Sequence, residues 1–262
     1  LDALLRAYAR HLYYSNGRIH VFRHLLAAVQ RRHAHLRRQM PNAWGSLSTW
    51  ELLEPVTHRP PIPEPLARAL IALCLSWGWI RIGAIISAIF YGITRPGELI
   101  GANRAHLVLP EDMLTDECVA YVYHELPKTR YRGARVQHSS IEDALTVGLL
   151  ASAFGRDPGC TPLFPATAQV FRTRFAMLLR ALNLPPGVYT PAGLRGGGAC
   201  AQFRRTKDIT TLCWRMRLTN TTTLSHYLQE AMAATHFRNL SEAARRSVRV
   251  SAAMLPFLAS NV

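Results

Sequence analysis

The chain has 262 residues, with 31 Lys plus Arg against 16 Asp plus Glu and a formal net charge of +15, yet it is 49% hydrophobic and only 18% charged. That composition excludes a disordered basic tail, and the length suffices for one large domain or two smaller ones with a real core. The basic residues are all Arg except Lys128 and Lys207, so the excess consists of forked, phosphate-matching donors on a chain whose charge concentrates polyanions.

Residues 1 to about 40 read as helical, with Leu4, Leu5, Tyr8, Leu12 and then Val21, Phe22, Leu25, Leu26, Val29 recurring at helical spacing and a break at Ser15-Asn16-Gly17. The opening, without Met, reads as the first turn of an amphipathic helix rather than a signal peptide, so a fragment of a longer protein is expected. The second helix is expected to run into QRRHAHLRRQ, where Arg31, Arg32, Arg37 and Arg38 have no acid to neutralise them. Such a cluster is either a solvated face or a phosphate-facing surface.

From Pro41 to Pro65 six prolines and little periodicity mark a domain boundary, with a linker expected over 44–63. Residues 67–93 form an apolar run of nearly membrane-spanning length. However, Arg81 lies near its middle, Gly78 and Gly92 interrupt it, and a central Arg costs at least ~2.5 kcal/mol on insertion scales. Two buried helices split near Ser76 to Trp79 are expected instead. Arg95-Pro96-Gly97-Glu98 then starts a helix with Pro in its first turn.

Alternation in His106 to Ile141 predicts a small antiparallel sheet, with Pro110-Glu111-Asp112 and residues 127–133 as turns; Lys128, Arg130 and Arg132 fall in the second. Helices are expected over 144–154, 169–182, 190–203, 208–216 and 221–234, followed by a basic one near 241–250. The five cysteines are odd in number, irregularly spaced and without a CxxC pair, which argues for a reducing compartment and against a disulfide framework or zinc site. There is no P-loop, HExxH, GxSxG or paired acid at metal spacing.

What remains is a set of residues in a particular order: Gly92-Ile93-Thr94-Arg95-Pro96-Gly97-Glu98-Leu99, Leu126-Pro127-Lys128-Thr129, Gly193-Leu194-Arg195 with Gly197 and Ala199, and Ser225-His226-Tyr227, with Arg195 and Tyr227 32 residues apart. In this pattern the chain after residue 64 resembles the catalytic domain of the tyrosine recombinases, the phage-integrase family. Residues 1–43 are similar to the second half of that family's helical core-binding domain.

The resemblance implies that Tyr227 attacks a DNA phosphate to give a 3′-phosphotyrosine and that Arg95 and Arg195 clamp its non-bridging oxygens. Lys128 would protonate the leaving 5′-oxygen, and Glu98 would orient Arg95. These residue types suit the task, because forked donors offset charge on the phosphorane and a hairpin Lys delivers a proton. No metal, nucleotide or other cofactor is implied. Two positions depart from the family pattern. Ala192 stands where a His, Lys or Tyr precedes the second Arg by three residues, and Leu218 stands where a His or Trp precedes the Tyr by nine. Thr190, Arg215, Arg217 and His226 are the candidates to substitute. Taken singly, each motif has an ordinary reading: Arg95 as a helix-start partner of Glu98, Arg195 as a loop Arg, Lys128 as a solvated turn, Tyr227 as core.

The expected fold is α-rich α+β. A helical N-terminal domain (1–43) precedes the linker (44–63) and a mainly helical catalytic domain (64–262) carries one small antiparallel sheet. The expected partner is double-stranded DNA, held by phosphate contacts from Arg31, Arg32, Arg37, Arg38, Arg130, Arg132, Arg215 and Arg217. Self-association is expected through the apolar end of the C-terminal segment, Met254 to Leu258, and the expected location is intracellular and DNA-associated. The alternatives are an inactive DNA-binding descendant of the same fold, a type IB topoisomerase, and a membrane protein built on 67–93.

Overall fold

The structure, a computed structural model, describes residues 1–54, 60–125, 137–218, 220–225 and 227–262. The chain divides into two compact units, Leu1–His58 and Arg59–Val262.

The first unit consists of α1 (Asp2–Tyr14), α2 (Ile19–Arg32), a 3-10 turn (Ala34–Arg38) and α3 (Pro41–Leu53). Its core is Leu5, Ala9, Phe22, Leu26, Met40, Ala43, Leu47 and Trp50. The Asp2 carboxylate accepts from the backbone N–H groups of Asn42 (3.2 Å) and Ala43 (2.8 Å), which ties the start of α1 to the electropositive first turn of α3.

Two expectations are corrected in this unit. The second helix stops at Arg32, and the 3-10 turn swings Leu36 and Met40 back onto the core; a straight continuation would carry them away from it. Residues 44–53 belong to α3 rather than to a linker. Pro41 sits in its first turn, and Ala43, Leu47 and Trp50 bury one face at i, i+4, i+7, while Gly45, Ser46, Ser48 and Thr49 mask the pattern through weak helix propensity. Residues 60–63 are not linker either, since Ile62 is fully buried in the second unit's core and its N–H donates to the Gly193 carbonyl at 2.9 Å.

The second unit is built on α4 (Glu64–Ser76) and α5 (Ile80–Tyr91), an antiparallel pair broken at Trp77–Trp79 as the sequence predicts. Every residue of α5 from Ile82 to Tyr91 is buried, which explains the membrane-like run: a helix covered on all sides is apolar all round. Arg81 sits at its outer end, paired with Asp157 at 2.8 Å. Among the described residues no helix is long and apolar enough to cross a membrane.

There follow α6 (Pro96–Ile100), β1 (Leu107–Val108), α7 (Pro110–Met113), β2 (Ala120–His124), β3 (Gln137–Ile141), α8 (Ala144–Phe154), α9 (Ala168–Ala181), α10 (Pro191–Thr206), α11 (Ile209–Arg215), α12 (Thr221–Ser225), α13 (Glu230–Arg238) and α14 (Glu242–Ala259). The strands form one antiparallel sheet in the order β1-β2-β3, with Leu107 opposite Val122 and Tyr121 opposite Ser140. This is the α-rich α+β fold that the alternation in 106–141 predicts.

The helix expected over 221–234 is instead two, α12 and α13. The break falls after Ser225, where the Tyr227 carbonyl accepts from Gln229 N (2.9 Å) and Cys200 Sγ (3.3 Å) in place of a helical bond. The C-terminal helix α14 runs nine residues past the expected Val250 to Ala259, and buries Ala244, Val248 and Leu255 against α4.

Candidate active site

The site begins where α5 ends. Ile93 takes φ 51, a left-handed conformation that a β-branched residue adopts at a cost of about 1–2 kcal/mol, and is held there by nearly complete burial. This turn delivers Arg95 to the N-terminus of α6. One turn on, Glu98 accepts from the Arg95 backbone N–H at 3.1 Å and from its Nη1 at 2.8 Å. Burial alone would raise the Glu98 carboxyl. The hydrogen bond and charge of Arg217, with His124 and Arg95 behind them, outweigh it and bring the carboxyl to about 2.

Arg195 comes from the interior of α10 and is 2% exposed. Its Nη2 donates to the Met216 carbonyl at 2.6 Å, while Nε and Nη1 are buried without a partner among the described residues. Burial, followed by the charge of Arg95, lowers its proton affinity. Two of the three glycines after it are required by packing: a Cβ on Gly197 would lie 1.8 Å from the Ile62 carbonyl oxygen, and one on Gly198 would lie 1.9 Å from that of Phe90. Arg195 is therefore a helix residue rather than a loop Arg.

Tyr227 lies in the turn between α12 and α13, not on a helix, with its ring half-buried and its centroid 5.6 Å from the Arg195 guanidinium carbon. A small apolar cluster of Ile93, Ala199, Leu212, Met216 and Leu224 supports it.

Arg217 is the third guanidinium here. It follows α11 at φ 54, the left-handed C-terminal position usually held by Gly, with the Leu218 N–H donating back to the Cys213 carbonyl at 2.9 Å. Its Nη2 pairs with Glu98, and its Nε and Nη1 are buried without a partner among the described residues.

Sequence reasoning missed His124. It ends β2 on the inward phase shared by Ala120 and Val122, with Nδ1 3.9 Å from Glu98 and Nε2 3.0 Å from Ser139 Oγ. Burial, then the charge of Arg217, lowers it to about 4. The inward parity of a His at the strand end was the signal available.

The other sequence candidates are not gathered here. Arg215 donates its Nη2 to the carbonyls of Tyr91 and Ser140, both at 3.3 Å, and so ties α5 to β3. Arg31, Arg32, Arg37 and Arg38 are exposed on the first unit. Lys128, Arg130, Arg132 and His226 lie outside the described residues. Thr190 Oγ1, at the start of α10, is buried without a partner among the described residues. Among the described residues no His, Cys, Asp or Glu cluster could hold a metal ion, and the five cysteines form no disulfide.

No protein-family model matches the sequence, and no curated protein matches it. Solved structures do match the fold. XerA recombinase is 16% identical with a TM-score of 0.51, covering 86% of this chain and 78% of that one. The Tn1549 transposon integrase, solved with transposon right-end DNA, is 13% identical with a TM-score of 0.55, covering 91% and 85%. The XerH site-specific recombinase, in a pre-cleavage complex with its difH substrate, is 11% identical with a TM-score of 0.50, covering 89% and 77%.

The chain has the fold of the tyrosine recombinases. Within this tyrosine-recombinase fold, Ala192 is exposed at the second residue of α10, and Leu218 packs half-buried beside the small cluster under Tyr227. Neither side chain can accept or donate a proton.

Proposed function

We propose that the protein breaks and rejoins DNA strands as a site-specific recombinase or integrase, with Tyr227 as nucleophile. The observation that carries this reading is the position of the Tyr227 ring against Arg195, a buried cation with two nitrogens unpartnered among the described residues, which feels the charges of Arg95 and Glu98. In the proposed step a Tyr227 Oη–phosphorus bond forms and the phosphorus–O5′ bond breaks. The phenol proton passes to solvent, and Lys128 supplies a proton to O5′. Arg95 and Arg195 hold the non-bridging oxygens as charge gathers on them. Attack by a 5′-hydroxyl on the phosphotyrosine reverses the step and joins the strands.

Double-stranded DNA is the partner that a +15 chain with exposed Arg clusters fits. The proposed domain roles are a core-binding first unit and a catalytic second unit. Self-association on DNA would use the outer face of α14, where Val250, Met254 and Phe257 are exposed at i, i+4, i+7 while Leu255 is occupied in the protein's own core. Sedimentation of a monomer on a two-site DNA would count against it.

A second reading, a DNA-binding descendant without strand cleavage, is favoured by Ala192 and Leu218. A nicked suicide duplex pooled from random sequence separates the two readings. A covalent adduct that disappears in Tyr227→Phe supports the recombinase, and salt-sensitive binding without an adduct supports the descendant.

A further inference from the structure

We infer that Arg217 is a third phosphate-binding residue, next in the chain to Leu218, one of the two positions that depart from the family pattern. The inference rests on the proposed function and deepens it.

Four observations converge on Arg217. Its backbone occupies a left-handed position, φ 54, where glycine is the unstrained choice, so a long cationic side chain is present despite the backbone. That side chain is 8% exposed. One nitrogen pairs with Glu98, while Nε and Nη1 are buried without a partner among the described residues, as are Nε and Nη1 of Arg195. Finally, Arg95 and Arg217 share the Glu98 carboxylate, and Arg195, lowered in proton affinity first by burial, also feels the charges of Arg95 and Arg217.

Unpartnered buried N–H groups on paired cations are costly unless a ligand completes them. Arg95 and Arg217 on Glu98, with Arg195 close enough to feel both their charges, leave a local excess of two positive charges, which suits an anion bound by several oxygens. A phosphodiester passing through a pentacoordinate state fits this, since the charge on its equatorial oxygens grows as Tyr227 attacks. Arg217 also adjoins Leu218, so its side chain enters the pocket from the same turn that departs from the family pattern. A guanidinium there holds charge but does not accept a proton, so the site would depend on electrostatic clamping more than on proton transfer.

Arg217→Gly is the decisive variant, because it relieves the left-handed backbone while removing the side chain. It is expected to fold and to form the covalent adduct on a suicide duplex about 10²-fold to 10³-fold more slowly under saturating protein. On a duplex whose scissile phosphate is replaced by an uncharged methylphosphonate, the difference should shrink to under about 10-fold, since less charge remains to be clamped. An equal loss on both substrates would show that Arg217 acts only through structure and would overturn the inference.

A second arm does not need catalysis. Inorganic sulfate at constant ionic strength should raise the melting temperature of wild type and of Tyr227→Phe, with the rise at least about halved in Arg217→Gly and partly restored in Arg217→Lys. If wild type forms no adduct but this pattern holds, the strand-cleavage reading fails and the anion clamp stands. If the sulfate response is the same with and without Arg217, the clamp is overturned.

Discussion

The guanidinium carbon of Arg195 lies 5.6 Å from the centre of the Tyr227 ring, and the two side chains come from elements that only the folded chain brings together. If Tyr227 attacks a phosphate, Arg195 is placed to meet the oxygens of that phosphate. Arg195→Ala should slow adduct formation by about 10²-fold to 10³-fold in single-turnover assays on a suicide duplex. Arg195→Lys should recover little, because a single nitrogen cannot span the Met216 carbonyl and a phosphate as the three nitrogens of a guanidinium do.

The glycines of α10 give a stability prediction with an internal control. A Cβ on Gly197 would meet the Ile62 carbonyl oxygen at 1.8 Å, so Gly197→Ala must push the helix off the segment beneath it and should cost about 3 kcal/mol or more. Gly148 lies exposed inside α8 with nothing within 4 Å, and Gly148→Ala should stabilise by about 1 kcal/mol. Urea denaturation of both variants, side by side, checks the pair.

His124 and Glu98 set the response to acid. The unfolded His titrates near 6.5, whereas burial, with Arg217 adding to it, holds the folded one at about 4. Between those values the unfolded chain binds the extra proton, so stability is lost as pH falls through this window, by at most about 3 kcal/mol. Glu98 adds a lower limb. Its folded value of about 2, against 4.5, means that its stabilisation is present above about 4.5 and is lost as pH falls towards 2. His124→Gln, which can keep the bond to Ser139, should flatten the upper limb and leave the lower one, as measured by urea titrations at about pH 7, 5 and 3.5.

The exposed arginines of the first unit predict a salt effect. Replacing Arg31, Arg32, Arg37 and Arg38 together by Gln should reduce the slope of log affinity against log salt by about 0.9 for each phosphate that is no longer neutralised. An unchanged slope would assign these residues to a solvated face. Melting temperature should scarcely change, because all four side chains are exposed.

Much of the fold was legible locally. Apolar spacing located α1, α4, α5, α8 and α9 to within a few residues, and alternation located the sheet, because periods of 3.6 and 2 are written by whichever face is buried. Helix α3 was hidden because its Gly, Ser and Thr residues are poor helix formers that burial of Leu47 and Trp50 overrides. The split around Tyr227 was hidden for a related reason: the Cys200 thiol that engages the Tyr227 carbonyl lies 27 residues away in sequence.

The site divides in the same way. The sequence by itself determined the net charge, the arginine-rich character and the order of Arg95, Glu98, Arg195 and Tyr227, which are properties of composition and motif. Only the tertiary structure decided that Arg195 is buried with unpartnered nitrogens, that Arg217 joins Glu98 while Arg215 ties down carbonyls, and that His124 stands beside them. Burial, unpaired donors and neighbouring charges arise when elements far apart in the chain are packed together, and no local pattern encodes which of two nearby arginines turns inward.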